Sequence, residues 1–454
     1  MGDSGSDVRS VKAVTEATPR IDPPVRAQTP LGAQRSETPG PMATMMLIYL
    51  VVVVGRIGDI VPGMQNIPLA KIVAGLAILV AAQNWSTLPR VSIWSLRPAR
   101  FTLLIMAIST VSILFSVWRH ETLGIITGAV LSISVAMVLM IKSAKNWQAV
   151  RRLFLGCALS ALVLALSVEI TRHGGRAGFT RDLDPNDFAF LLVGLLPIVV
   201  AFVCVSRGLK KISFACASLW VIVEILRTES RGGLLGLVCV VALMIVLLPP
   251  NRRGRLLPRT PKAAVAARIM ILAIASLLIW HVIPESARTR LATITHPDSG
   301  YNTNLNDPTG RFSIWLQTLP LSLRRPWGWG AGAFAAVDGM YGGGRYKAPH
   351  NMYLEALIDL GVAGLALFLA TLVSSFRRLT REAFAQPEPV QQAGLERRVF
   401  ARALIASLSG FCVSGFFLSE FYMQALWALI ILTCLVGRSV ITTNDVLQPI
   451  DVRQ

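Results

Sequence analysis

Apolar runs close to the length of a lipid bilayer recur from residue 42 to residue 437, and no other feature of the sequence restricts the fold as strongly. A hydrocarbon core of roughly 30 Å takes about 20 residues of helix, and a helix satisfies its own backbone groups where no water is available. Twelve such runs can be drawn, at 42–55, 66–83, 101–118, 122–141, 152–171, 187–206, 211–227, 231–248, 264–282, 350–373, 400–418 and 421–437. Arg56 and Asp59 cut the first one short. With 53% hydrophobic and 15% charged residues among 454, the chain is too apolar for a soluble protein of this size. The pattern predicts an all-α polytopic membrane protein with about 12 transmembrane helices.

Lys and Arg are retained on the cytoplasmic side during insertion. With the N-terminus inside, the inner loops carry Arg90, Arg97, Arg100, Lys142, Lys145, Arg151, Arg152, Arg207, Lys210 and Lys211, and further basic clusters at 252–268 and 377–402. The short outer loops carry fewer, namely Arg56, Arg119, Arg172, Arg176, Arg181, Arg227 and Arg231. Both termini are therefore expected in the cytoplasm. This bias accounts for much of the net charge of +19, so nucleic-acid binding is not implied. Residues 1–41, rich in Pro, Ser, Thr and charge, read as a disordered cytoplasmic tail. Residues 42–283 hold the first nine spans, 284–349 a large outer loop, 350–437 the last three spans, and 438–454 a second tail. The first span lacks a small-residue cleavage site and reads as an anchor rather than a signal peptide. Cys157, Cys204, Cys216, Cys239, Cys412 and Cys434 all fall in predicted spans, which suggests neither a disulfide framework nor a thiolate metal site.

The outer loop has its own pattern. Phe312, Trp315, Leu316 and Leu319 recur at the spacing of one helix face, which predicts an amphipathic helix that lies on the membrane surface or caps the bundle. Arg324-Arg325-Pro326-Trp327-Gly328-Trp329-Gly330 follows, then glycines at 342–344, where tight turns or a close backbone approach to a ligand are possible. These glycines follow no strand and form no dinucleotide fingerprint. No phosphate-binding Gly-Lys-Ser/Thr loop occurs, so an ATP-driven pump is not suggested.

His350 follows a proline and opens an apolar helix, whose positive N-terminal end disfavours imidazolium and keeps the ring able to accept a proton. The same histidine could serve only the hydrogen bonds of the helix end. Around it the outer face gathers Arg172, Arg176, Arg181, Arg227, Arg231, Arg288, Arg290, Arg311, Arg324, Arg325 and Arg345, against the topological bias. Guanidinium groups bind phosphate oxygens in pairs, so an anionic ligand is expected there. In Ser230-Arg231-Gly232-Gly233 the glycines let a helix or ligand come close to a cation that is costly to bury alone. Asp182-Leu183-Asp184 has the spacing of a metal-binding carboxylate pair, but with Pro185-Asn186-Asp187 it is equally turn and helix-cap chemistry.

Three blocks, Thr228-Glu229-Ser230-Arg231-Gly232-Gly233, Thr309-Gly310-Arg311 with Trp315 and Pro326–Gly330, and His350-Asn351-Met352-Tyr353-Leu354-Glu355, together resemble the O-antigen ligase and polymerase family of bacterial membrane glycosyltransferases, the ligases most closely. The resemblance implies a GT-C-type helical fold. It implies transfer of a glycan from undecaprenyl pyrophosphate to an acceptor in the periplasm, with inversion and without a metal. For a ligase the acceptor is a sugar hydroxyl of lipid A-core. By motif match His350 is the base and Arg231 and Arg311 lie beside the pyrophosphate. Arg176 and Arg181 stand in a loop where the family also places basic residues, and Asn351, Glu355, Asp359 and Arg345 are possible supporting residues. A polymerase or a protein O-glycosyltransferase would use the same class of donor. A secondary transporter would show two matched halves, which an outer insertion after the ninth span does not suggest.

Overall fold

A computed structural model describes residues 40–61, 63–64, 67–89, 91–171, 183–247, 310–342, 344–385 and 392–437, together with isolated positions 2, 266, 269, 270, 285 and 288. The chain divides into two units, residues 1–38 and 39–454, and the helices below belong to the second. Among the described residues there is no strand. The helices are α1 (Pro41–Val53), α2 (Leu69–Gln83), α3 (Arg97–Val111), α4 (Arg119–Ser143, with a π-helical turn at Ile126–Val130), α5 (Trp147–Ile170), α6 (Pro185–Val205), α7 (Gly208–Arg227) and α8 (Arg231–Leu247). The outer-loop helices are α9 (Arg311–Thr318), α10 (Leu321–Arg324) and α11 (Phe334–Tyr341), and α12 (Met352–Ala383), α13 (Gln392–Ser414) and α14 (Gln424–Val436) complete the chain.

Among the described residues six segments are long and apolar enough to cross a membrane: Pro41–Ile60, Arg97–Leu114, Arg119–Ser143, Trp147–Ile170, Pro185–Val205 and Met352–Ala383. That is half the number expected from hydropathy. α2, α8 and α14 are apolar but shorter. α7 and α13 have the length but carry Lys210, Lys211, Glu224 and Arg227, and Glu396, Arg397, Arg398 and Arg402. The run at 264–282 lies almost wholly outside the described residues. α12 continues ten residues past the expected end at 373, so the basic residues assigned to a loop ride on helix instead. One of them, Arg378, donates through Nε to the Thr433 carbonyl (3.0 Å) and through Nη2 to that of Cys434 (2.9 Å). It thereby satisfies carbonyls that the last turn of α14 leaves without partners.

α8 packs against α6 and α13 through glycines. A Cβ at Gly236 would collide with Ser414 Oγ, and one at Gly233 with Ala189 Cβ. Gly194 of α6 makes room for the Phe411 ring, which stacks on Phe190 with centroids 4.3 Å apart. Small residues allow this approach, and dispersion between closely packed surfaces then holds apolar helices together where there is no water to expel.

α12 is broken at Gly361, whose φ of 71° and ψ of −170° leave helical space. A break exposes backbone groups that lipid cannot satisfy. The Pro326–Gly330 segment satisfies them: Trp329 N donates to Ile358 O, Gly330 N to Asp359 O, and Val362 N to Pro326 O, each at 2.9 Å. The Asp359 side chain extends the contact, accepting from Gly332 N (2.7 Å) and Phe334 N (3.0 Å). On its other side the segment meets the α3–α4 corner, where Thr122 Oγ1 donates to Ala331 O (2.8 Å) and Ala331 N to Ser112 Oγ (3.0 Å). The close backbone approach permitted by Gly328 and Gly361 is thus to another piece of this chain, not to a ligand.

Candidate active site

The site residues from distant parts of the sequence converge on the turn between α13 and α14, residues 415–423. Met352 N donates to Gly415 O (2.8 Å), and Phe421 N donates to Oε2 of the buried Glu355 (3.2 Å). The turn is therefore clamped to the first helical turns of α12 at both of its ends.

His350 stands just before that helix. Asn351 is the cap: its Oδ1 accepts from Tyr353 N and Leu354 N, both at 3.0 Å. This is why the chain begins to wind at Met352. Trp315 Nε1 donates to Pro349 O (2.6 Å), and His350 N donates to Ser419 Oγ (2.8 Å). Between these anchors His350 takes φ 46°, a left-handed conformation that costs a residue with a side chain about 1–2 kcal/mol. Strain of this kind persists where the surroundings enforce it. Burial, and then the nearby Arg311 charge, push the imidazole pKa down to about 4. The ring is neutral as expected, but the cause differs: desolvation and a guanidinium come first, and Asp184 acts in the opposite direction.

Arg311 opens α9 and donates through Nη1 to the Phe417 carbonyl (2.9 Å). Arg231 opens α8 and is half-buried. It follows a tight turn in which Glu229 has φ 56°, Thr228 Oγ1 donates to Ile225 O (2.6 Å), and Ser230 Oγ accepts from Gly233 N (3.2 Å). The adjacent Gly232 abuts Phe417, where an added Cβ would lie 3.1 Å from Phe417 Cβ. Phe417 therefore joins the Arg231 and Arg311 regions.

Other expected residues have structural partners. Arg345 Nη2 donates to the fully buried Asp338 (2.7 Å) and to Gln317 Oε1 (2.7 Å), which ties α9 to α11. Arg227 pairs with Glu169 and Glu224. Arg324 lies over the Tyr341 ring and Arg325 over that of Trp329. Asp184 caps α6, accepting from Asn186 N (2.6 Å) and Asp187 N (3.0 Å) while Asp187 Oδ2 accepts from Asp184 N (2.7 Å). Asp184 thus takes the capping role, while its expected partner Asp182 is among the residues the structure does not describe. Arg172, Arg176, Arg181, Asp182 and Arg290 lie outside the described residues. Among the described residues no cluster of three or more His, Cys, Asp or Glu is arranged to hold a metal ion.

Ser419, Glu420 and the Phe417 carbonyl were not singled out from the sequence. They fall in a short gap between two apolar runs, and their roles depend on contacts to residues far away in the chain. Burial, with Asp187 alongside, raises the Glu420 carboxyl well above the usual range, so it keeps its proton and shares a hydrogen bond with Asp187. On α9, Ile314 and Thr318 face inward while Phe312, Leu316 and Leu319 are exposed. Trp315, the fourth residue of the expected apolar face, is half-buried and packs against Phe416, so that face divides between the protein body and the surface.

The arrangement defines a class: a helical membrane protein in which the helix that opens at Arg311, a broken helix and the turn between α13 and α14 draw a histidine and an arginine to one place. Residues 216–369, about a third of the chain, match the family model described as O-Antigen ligase. Its members are glycosyltransferase-like ligases and polymerases. The match takes in Arg231, Arg311 and His350. No curated protein matches the chain.

Proposed function

We propose that the chain is an O-antigen ligase: a multi-pass inner-membrane enzyme, cytoplasmic at both termini, that transfers a glycan from undecaprenyl pyrophosphate to a sugar hydroxyl of lipid A-core at the periplasmic face. His350 is the base. Arg231 and Arg311 hold the pyrophosphate, with Arg176 and Arg181 as further cationic contacts. The observation that carries this reading is the convergence of His350 and Arg311 on one shared turn, the first through Ser419 Oγ and the second through the Phe417 carbonyl.

The chemistry follows from those two groups. Outside the cytoplasm no nucleotide pool supplies energy, so the donor brings it in the bond between sugar and pyrophosphate. Negative charge grows on the pyrophosphate as that bond breaks, and fixed guanidinium groups stabilise it without reorganising. His350 takes the proton from the acceptor hydroxyl as oxygen attacks, a contribution on the order of 10²–10⁴ in rate. One displacement with one base inverts the anomeric centre; retention would require a carboxylate nucleophile. In the free protein burial, and after it the Arg311 charge, make His350 a weak base. A bound polyanion would offset that charge and make the imidazole more basic once the donor is in place.

The test is His350→Ala in cells lacking the native protein. Long-chain glycan retained on the polyprenyl carrier, with bare lipid A-core on gels and in mass spectra, is the expected result. Normal lipopolysaccharide would remove His350 from the mechanism. Core carrying a single repeat unit would identify a polymerase instead.

A further inference from the structure

The geometry points to Ser419 as a positioning residue for His350, acting through the backbone rather than through the ring. This inference rests on the reading of His350 as the base. Ser419 Oγ accepts from the His350 N–H at 2.8 Å, on the very bond about which the left-handed φ of 46° is set. An L-residue leaves that region unless something holds it there. Rotation about N–Cα without the hydroxyl would carry the imidazole off its line to the acceptor, and small misplacements of a reacting group are costly.

The turn that presents Ser419 does not need this hydrogen bond for its own shape. Gly415 O takes Met352 N, and Phe421 N is held by Glu355. The same turn offers the Phe417 carbonyl to Arg311. One rigid element, 415–421, thus sets the base with a hydroxyl and the cation with a carbonyl, two residues apart. A serine or threonine is required at 419 because a short side-chain acceptor must reach a backbone N–H that no helix or strand satisfies.

The experiment compares Ser419→Ala and Ser419→Thr in the full-length detergent-purified protein, using undecaprenyl-pyrophosphate-linked glycan and lipid A-core, with rates normalised to the monodisperse fraction. Ser419→Ala is expected to lower kcat by about tenfold to a hundredfold, with KM for the donor changed by less than about twofold, as expected for a group that aims the base without touching the donor. Ser419→Thr, which keeps the acceptor oxygen, is expected to recover most of the loss. Wild-type kcat in Ser419→Ala, an effect confined to KM, or a threonine variant as slow as the alanine one would overturn the inference. An inactive His350→Ala beside a fully active Ser419→Ala would end this inference alone, whereas a fully active His350→Ala would end the assignment of the base.

Discussion

Gly361→Ala should undo the seam between the outer loop and α12. Glycine is required there on two counts. Its φ of 71° with ψ of −170° lies in a region open essentially to glycine alone, which costs an alanine at least about 1 kcal/mol. An added Cβ would also lie 2.5 Å from the Trp327 carbonyl carbon and 2.7 Å from Gly328 N, backbone atoms that cannot rotate aside. The Pro326–Gly330 segment must therefore shift, and the three backbone hydrogen bonds it makes across the break lengthen together. At about 1 kcal/mol each, they bring the total to about 4 kcal/mol. In a chain of this length a loss of that size lowers the unfolding midpoint by about 4 °C. Tryptophan fluorescence during heating of the detergent-purified protein is a direct assay, since Trp327 and Trp329 sit in the segment itself. Gly124→Ala is the control, because nothing lies within 4 Å of its added Cβ and helix propensity favours alanine. A Gly361→Ala midpoint indistinguishable from that of the control would show that the seam contributes nothing to stability.

The pH dependence of kcat/KM should show an acidic limb near the His350 value of about 4: a base works unprotonated, so activity holds above that pH and falls below it. In the residual activity of Arg311→Gln the limb should move to higher pH, since one cause of the depression is gone; a limb that stays in place would refute the coupling. Arg345→Ala leaves the buried Asp338 carboxylate with Lys347 N as a backbone donor, and should destabilise the protein by about 3 kcal/mol; an unchanged midpoint would mean the pair is dispensable. Chelators should leave purified activity intact, and abolition by EDTA with recovery on adding Mg²⁺ would return a metal to the mechanism.

The helical character of the chain was legible because hydropathy over a full span is a strong signal, and the start of α12 was legible because Asn351 caps it through local hydrogen bonds. His350, Arg231 and Arg311 were legible as polar residues where apolar runs begin. The break at Gly361 was hidden, since Leu360-Gly361-Val362-Ala363-Gly364 reads as ordinary apolar helix. Its cause lies in a segment more than thirty residues earlier, whose glycines looked suited to a ligand. Hydropathy also counted α7 and α13 as equal to the more apolar spans, although charged residues within them keep both outside the set able to cross by composition. Ser419 stayed hidden because a serine between two apolar runs has no local pattern, and its partner lies 69 positions away.

That turn also fixes when the protein can first work. Ser419 and the Phe417 carbonyl belong to a helical hairpin that leaves the ribosome after the histidine and arginine they hold. Until that hairpin has been threaded into the bilayer, a growing chain holds its reactive groups without the frame that aims them. Release of the chain before that hairpin is made would therefore yield an inert product rather than a partly working one.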